Sequence, residues 1–116
     1  MTLHQLMGLQ AQFDANHRSK RQWGQPVDEA SPEVLEHSVV CLVGELGEFA
    51  NILKQVNRGD TPYQNARPHL EEELTDVFIY LMQIANQMGI NLEESYLRKL
   101  DKNQERFKKY ERRAVE

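Results

Sequence analysis

Four helices and no sheet make the all-α fold that this chain of 116 residues predicts. Three observations carry that expectation. Apolar residues recur at helical spacing in four separate stretches, each stretch is bounded by residues that start or stop helices, and none alternates with period two over a useful length. Short connections favour antiparallel neighbours, hence a four-helix, bundle-like arrangement. At this length a single domain over residues 1–116 is expected, with a core modest enough that a helical partner subunit would help to cover it.

The first helix is expected from Leu3 to about Arg21, because Leu3, Leu6, Met7, Leu9 and Phe13 fall near helical spacing among polar residues. Trp23-Gly24-Gln25-Pro26 breaks that pattern, and a loop of ordinary length follows. Ser31-Pro32-Glu33 restarts a helix: serine accepts a bond from an orphan amide, proline suits the first turn and glutamate complements the dipole. This second helix should reach Asn57 and stop at Arg58-Gly59-Asp60. The third is expected from about Pro68 to Gln87, with Leu70, Leu74, Val77, Phe78, Leu81, Ile84 and Met88 inward, and Gly89 stopping it. Asn91 and Glu94 have the form of a capping box, so a fourth helix should run from there to about Arg113 with Leu92, Tyr96, Leu100 and Phe107 on one face.

Charge and cysteine usage exclude several classes of function. The net charge is −4, and basic residues cluster only locally, at Arg18–Arg21 and around Lys108 to Arg113, so nucleic-acid binding is not expected. No run reaches the roughly 18 apolar residues that a membrane span needs, and no charged region with an apolar core follows the N-terminus. A chain that is neither membrane-bound nor exported is expected, and the single Cys41 suits a reducing, cytoplasmic compartment.

The second helix carries the chemistry. Val39 to Gln55 is apolar around most of its circumference, yet Glu45 and Glu48 interrupt it one turn apart, where a bare negative charge is costly to desolvate. Glu73 and Asp76 repeat that spacing as the next apolar helix begins. Four acidic oxygen donors from two facing helices make a site for a hard cation, and the hard cation that most often works with phosphates is magnesium. The alternative, a solvated acidic face, suits Glu71 and Glu72, which complement a helix dipole. Gly44 and Gly47 cost helix stability and call for a reason: close approach of two helices first, open space for a ligand beside the carboxylates second.

These residues resemble a family. Glu45-Leu46-Gly47-Glu48, 24 intervening residues and Glu73-Leu74-Thr75-Asp76 are similar to the E-x-x-E and E-x-x-D signature of the MazG-type all-α nucleoside triphosphate pyrophosphohydrolases, which include small dCTP pyrophosphatases and dimeric dUTPases. The segment from Lys99 through Asn103 to Arg106-Phe107 resembles the family's K-x-x-x-N-x-x-R/K-Y/F run. The resemblance implies hydrolysis of a nucleoside triphosphate between the α and β phosphates with magnesium, manganese being a substitute, in a homodimer or homotetramer. It implies that Glu45, Glu48, Glu73 and Asp76 hold the metal, with Glu48 the choice for orienting or deprotonating the attacking water. Lys99 and Arg106 would meet phosphate, and Asn103 a base or sugar; without the family match an ordinary polar helix face is the better reading of all three.

Tyr80, one turn beyond Asp76, is placed to line the pocket, and Trp23 resembles an aromatic that encloses the base; core packing is an equal reading for each. Lys54 is a further candidate for phosphate, but a helix-end lysine with its ammonium in water is the better reading. Two departures stand out. Gln55 replaces a tryptophan of the deoxycytidine-type relatives, and Asn51 replaces a further glutamate of many members, which bears on the number of ions.

Two rivals differ in kind. A di-iron carboxylate bundle needs Glu-x-x-His pairs, and none of His4, His17, His37 and His69 has a glutamate three residues before it. A non-enzymatic helical oligomerisation module explains the apolar second helix but leaves Glu45 and Glu48 without a purpose. Either way the second helix has more apolar surface than one small chain covers, so a homo-oligomer is expected with that helix near its centre.

Overall fold

A computed structural model describes residues 1–17, 26 and 32–111. They form α1 (Leu3–His17), α2 (Pro32–Asn57), α3 (Tyr63–Gln87) and α4 (Leu92–Arg106), then a 3₁₀ turn at Lys108–Tyr110; no strand occurs among the described residues. The expected helix cap at Ser31 and the end of the first helix at Arg21 lie outside them.

The helix ends follow from local chemistry. Thr2 and Gln5 cap α1 reciprocally: the Gln5 N–H donates to Thr2 Oγ1 at 3.1 Å, and the Thr2 N–H donates to Gln5 Oε1 at 2.8 Å. At the end of α2 the Asp60 N–H reaches the Gln55 carbonyl and the Gly59 N–H reaches that of Val56. Gly59 has φ +85°, the left-handed value this paired motif requires. The motif recurs after α3 with Gly89 at φ +69°, and there Ile90 packs on the core cluster containing Ala85. Asn91 caps α4 by accepting the Glu94 N–H at 3.2 Å, while the Glu94 carboxylate lies 4.0 Å from Arg98.

Two boundaries differ from the sequence expectation. Helix α3 begins at Tyr63, with Pro62 in extended conformation at its cap and Pro68 inside it. Proline there leaves the Gln64 carbonyl without its helical partner, but both residues are exposed, and starting early buries Ala66 and Leu70. Helix α4 stops at Arg106 rather than near Arg113, because Phe107 turns to φ −102°, ψ 12° and the chain tightens into the 3₁₀ turn.

Packing centres on α3. Helix α2 runs beside it over most of its length, and α1 crosses its C-terminal half, where Met7, Met82 and Ala85 form a core closed by Leu3, Ile79, Ile90 and Leu92. Through Leu92, α4 joins that core at its first residue, and its main packing partners are α1 and the 3₁₀ turn. Much of the expected inner surface is consequently uncovered in the single chain. Leu74, Phe78, Leu81 and Met88 of α3 are exposed, as are Val39, Val40, Val43, Leu46 and Leu53 of α2 and Tyr96, Leu100 and Phe107 of α4. The radius of gyration, 18.2 Å, exceeds the roughly 13 Å of a compact domain of this length. No helix among the described residues is long and apolar enough to cross a membrane.

Candidate active site

The antiparallel register of α2 and α3 brings Cys41 to Tyr80, Glu45 to Asp76 and Glu48 to Glu73. Each acidic pair sits one turn apart on its own helix, so pairing the two helices gathers the carboxylates midway along the seam. One carboxylate oxygen from each of Glu45, Glu73 and Asp76 lies within 4.8 Å of the others. Glu73 is buried, and its Oε2 has no hydrogen-bond partner among the described residues.

Glu48 is exposed and stands outside that group of three, but its carboxyl faces that of Glu73, so that a proton on Glu48 can be shared with it. That sharing, with the Glu73 charge beside it, holds the Glu48 carboxyl above the usual carboxylate range. Glu73 is raised as well, first because a proton on it can be shared with Glu45 and then by burial. His69 Nε2, one turn back, lies 3.3 Å from Glu73 Oε1. Close carboxylates that strain to hold protons, one with an unpaired buried oxygen, form a donor set matched to a divalent oxygen-seeking cation. The four sequence-predicted acids thus come together, three as a tight cluster and Glu48 at its edge.

Clefts open on both sides. One of about 340 Å³ runs from Glu45 and Asp76 along Ile79 and Tyr80 to Gln83, with Gln10 and Phe13 of α1 on the opposite wall. The other, about 550 Å³, lies toward the α2–α3 turn and is lined by Glu48, Asn51, Gln55 and His69 among others. Tyr80 therefore stands in a cleft wall, as its position after Asp76 implies. Burial, with Cys41 and Glu45 nearby, pushes its phenol above the usual tyrosine range, so it faces the cleft as a neutral hydroxyl.

Helix α4 does not reach these clefts within the chain. Lys99 and Arg106 are exposed and Asn103 is half-buried, and none of them lines either cleft. The Arg106 guanidinium instead lies over the Phe107 ring, 5.0 Å from its centre. Lys54 is exposed in the last turn of α2, outside both walls. Trp23 lies outside the described residues. A side chain at Gly44 or Gly47 would meet nothing within 4 Å, so the close helix approach expected of them does not occur among the described residues, and open space is what they provide.

Several site residues escape a sequence reading. Gln10 and Phe13 come from α1, whose arrival at the seam is a tertiary event. His69 has no motif around it. Gln83 did leave a signal: a polar residue in an apolar stripe, seven positions after Asp76 and so on the same face.

Residues 34–111 match the profile of the MazG nucleotide pyrophosphohydrolase domain. Over 110 residues the chain is 33% identical to dCTP pyrophosphatase 1 of Homo sapiens, and 31% identical to that of Rattus norvegicus. Each alignment covers 91% of this chain but 59% of the relative, so the chain spans under two thirds of these proteins' length. It is also 40% identical over 78 residues to the Gene 37 protein of Mycobacterium phage L5, covering 66% of this chain and 68% of that one. No solved structure matches the chain significantly.

Proposed function

Since the chain belongs to the MazG nucleotide pyrophosphohydrolase family, we propose that it hydrolyses a (deoxy)nucleoside triphosphate between the α and β phosphates, releasing the monophosphate and pyrophosphate. The observation that carries this reading is the α2–α3 seam, where three carboxylates lie within 4.8 Å of one another, one with a buried unpaired oxygen, between two open clefts. The relatives named dCTP pyrophosphatase support a deoxynucleoside triphosphate as the class of substrate.

Glu45, Glu73 and Asp76, with Glu48 beside them, would hold magnesium, or manganese in its place. When bound, the cation neutralises phosphate charge and lowers the cost of charge build-up at the scissile bond. Glu48 is exposed enough to meet a water, and its raised affinity for a proton suits it to take one from that nucleophile. Tyr80 offers a neutral hydroxyl and a ring face to the sugar or base. Lys99, Asn103 and Arg106 keep their assignment to phosphate and nucleoside, but across a subunit boundary, because their own chain does not bring them to the acids; Trp23 is assigned to the base enclosure, and Lys54 to an outer phosphate contact. The exposed apolar residues of α2 and α3 support a homodimer or homotetramer that completes the bundle and the site. Residues 1–116 act as one domain, in the cytoplasm.

The test is a panel of ribo- and deoxyribonucleoside triphosphates with magnesium, products identified by chromatography. Monophosphate and pyrophosphate are expected. Diphosphate and phosphate, or no turnover at all, would refute the reading and leave the rival of a helical interaction module.

A further inference from the structure

The cleft beside Tyr80 has a polar end as well as an acidic one. Gln83 of α3 is 3% exposed, and its Nε2 donates to Asp14 Oδ1 of α1 at 2.9 Å. Gln10 Nε2 donates to the same oxygen at 2.9 Å. Asp14 is itself fully buried, so the amides meet a fixed acceptor between the two helices. A carboxylate oxygen accepts and does not donate, so turning the Gln83 amide around would set oxygen against oxygen. The orientation is thereby locked: nitrogen toward Asp14, oxygen away from it. That oxygen, Gln83 Oε1, is buried and has no hydrogen-bond partner among the described residues. An unpaired buried acceptor is costly, and a donor brought by a ligand recovers the cost.

The distance also suits a nucleotide. Asp76 and Gln83 are seven residues apart on one helix, about 10 Å at the usual rise. A triphosphate at the acids places its base, not its sugar, toward Gln83, with Tyr80 between.

We infer that Gln83, oriented by Asp14 and backed by Gln10, is a specificity-determining residue that selects nucleobases presenting an exocyclic amino group over those presenting a carbonyl at that position. The inference rests on the proposed pyrophosphohydrolase reading and adds to it the hydrogen-bonding class of the base. An amino group donates to Gln83 Oε1. A carbonyl there opposes acceptor to acceptor and leaves both unpaired, the kind of mismatch by which a polar pocket rejects a near-isostere.

The test compares two substrate pairs that differ in amino against carbonyl at one ring position, dCTP with dUTP and dATP with dITP, by pyrophosphate release with magnesium. The wild-type chain is expected to favour the amino member of at least one pair by about tenfold or more in kcat/KM. Gln83→Met, similar in size and without the acceptor, should bring that ratio close to one. Asp14→Asn, which lets the Gln83 amide turn around, should lower or invert it. Because each ratio is taken within one preparation, a partly unfolded variant does not distort it. Wild-type turnover without the amino preference, or a preference that survives Gln83→Met, overturns the inference and leaves the activity standing. Pyrophosphate from none of the four nucleotides, nor from the wider panel, overturns both.

Discussion

The α2–α3 seam and helix α4 bear the two halves of one sequence signature, yet among the described residues only the first gathers its members within the chain. At the seam a five-residue connection closed by Gly59 forces two long helices to lie antiparallel, and four acids meet with no help from outside. The α3–α4 turn is as short and its cap as regular, but α4 departs from α3 after Leu92 and leaves Lys99, Asn103 and Arg106 away from the clefts. The difference lies in apolar cover. Helix α2 offers residues on several faces, enough for α3 and for more, whereas α4 is rich in charge and offers one stripe whose members Tyr96, Leu100 and Phe107 remain exposed. A helix with one apolar stripe goes where that stripe is covered, and here no helix among the described residues covers it.

Breaking the seam should have the largest effect. Glu45→Gln, Glu73→Gln and Asp76→Asn should each lower kcat by roughly a hundredfold or more, since each removes a negative charge that would hold the cation by which the phosphate charge is met. Glu48→Gln should join them if it handles the nucleophile. Near-normal rates in any two of the four, measured by pyrophosphate release, would dismantle the acid site.

Breaking α4 should cost less and show mainly in KM. Lys99→Ala and Asn103→Ala are expected to weaken substrate use several-fold. If α4 serves a second subunit, mixing equal amounts of Lys99→Ala and Glu73→Gln should restore turnover at low substrate, because one site of each mixed dimer, about a quarter of all sites after exchange, combines intact acids with an intact α4. Failure to exceed the better parent, with subunit exchange verified by sedimentation of tagged chains, would return α4 to its own chain or to a plain polar face.

Acid repulsion gives a third, smaller effect, with a definite sign. Glu48 and Glu73 are raised in the folded protein, so at mildly acidic pH the folded state holds more protons than the unfolded chain. The repulsion is absent below the ordinary carboxylate range. Without divalent cations, stability should therefore fall as pH rises out of that range and through the raised values. At neutral pH magnesium should raise the melting temperature, and the gain should fade as protons replace the cation on acidification. Glu73→Gln should melt higher than wild type without magnesium and gain little from adding it. Cation-free melting that improves steadily with pH across this window would contradict the crowding of the carboxylates.

How far the fold could be read in advance depended on whether the deciding force was local. All four helices were legible, as were the stops at Gly59 and Gly89 and the Asn91 cap, because those signals act within a few residues. Pro68 misled: it reads as a helix start, but Pro62 takes that place and burial of Ala66 and Leu70 carries the helix through it. The end of α4 was hidden in a run of good helix formers with neither glycine nor proline. The acids were legible because charge inside an apolar helix is conspicuous. Gln10 and Asp14 were not, and Gln83 left only the signal of a polar residue in an apolar stripe, since such a residue takes its meaning from the partner that α1 brings across from 69 positions away.

The smallest expected effect sharpens the comparison most. Asn91→Ala removes one bond, the cap at the start of α4, and such a loss ordinarily costs about 1 kcal/mol. In a chain where α4 is held mainly through Leu92, that cost should appear as fraying of α4 with little change elsewhere, and global melting should drop by only a few degrees. If α4 instead packs on a second subunit, the cap is coupled to the interface. The variant should then also weaken association and raise KM, with kcat nearly kept because the acids at the seam are untouched. Melting, sedimentation and kinetics on this one variant separate the cases: loss of stability alone makes α4 an appendage, whereas loss of stability, association and substrate affinity together makes it the partner's half of the site.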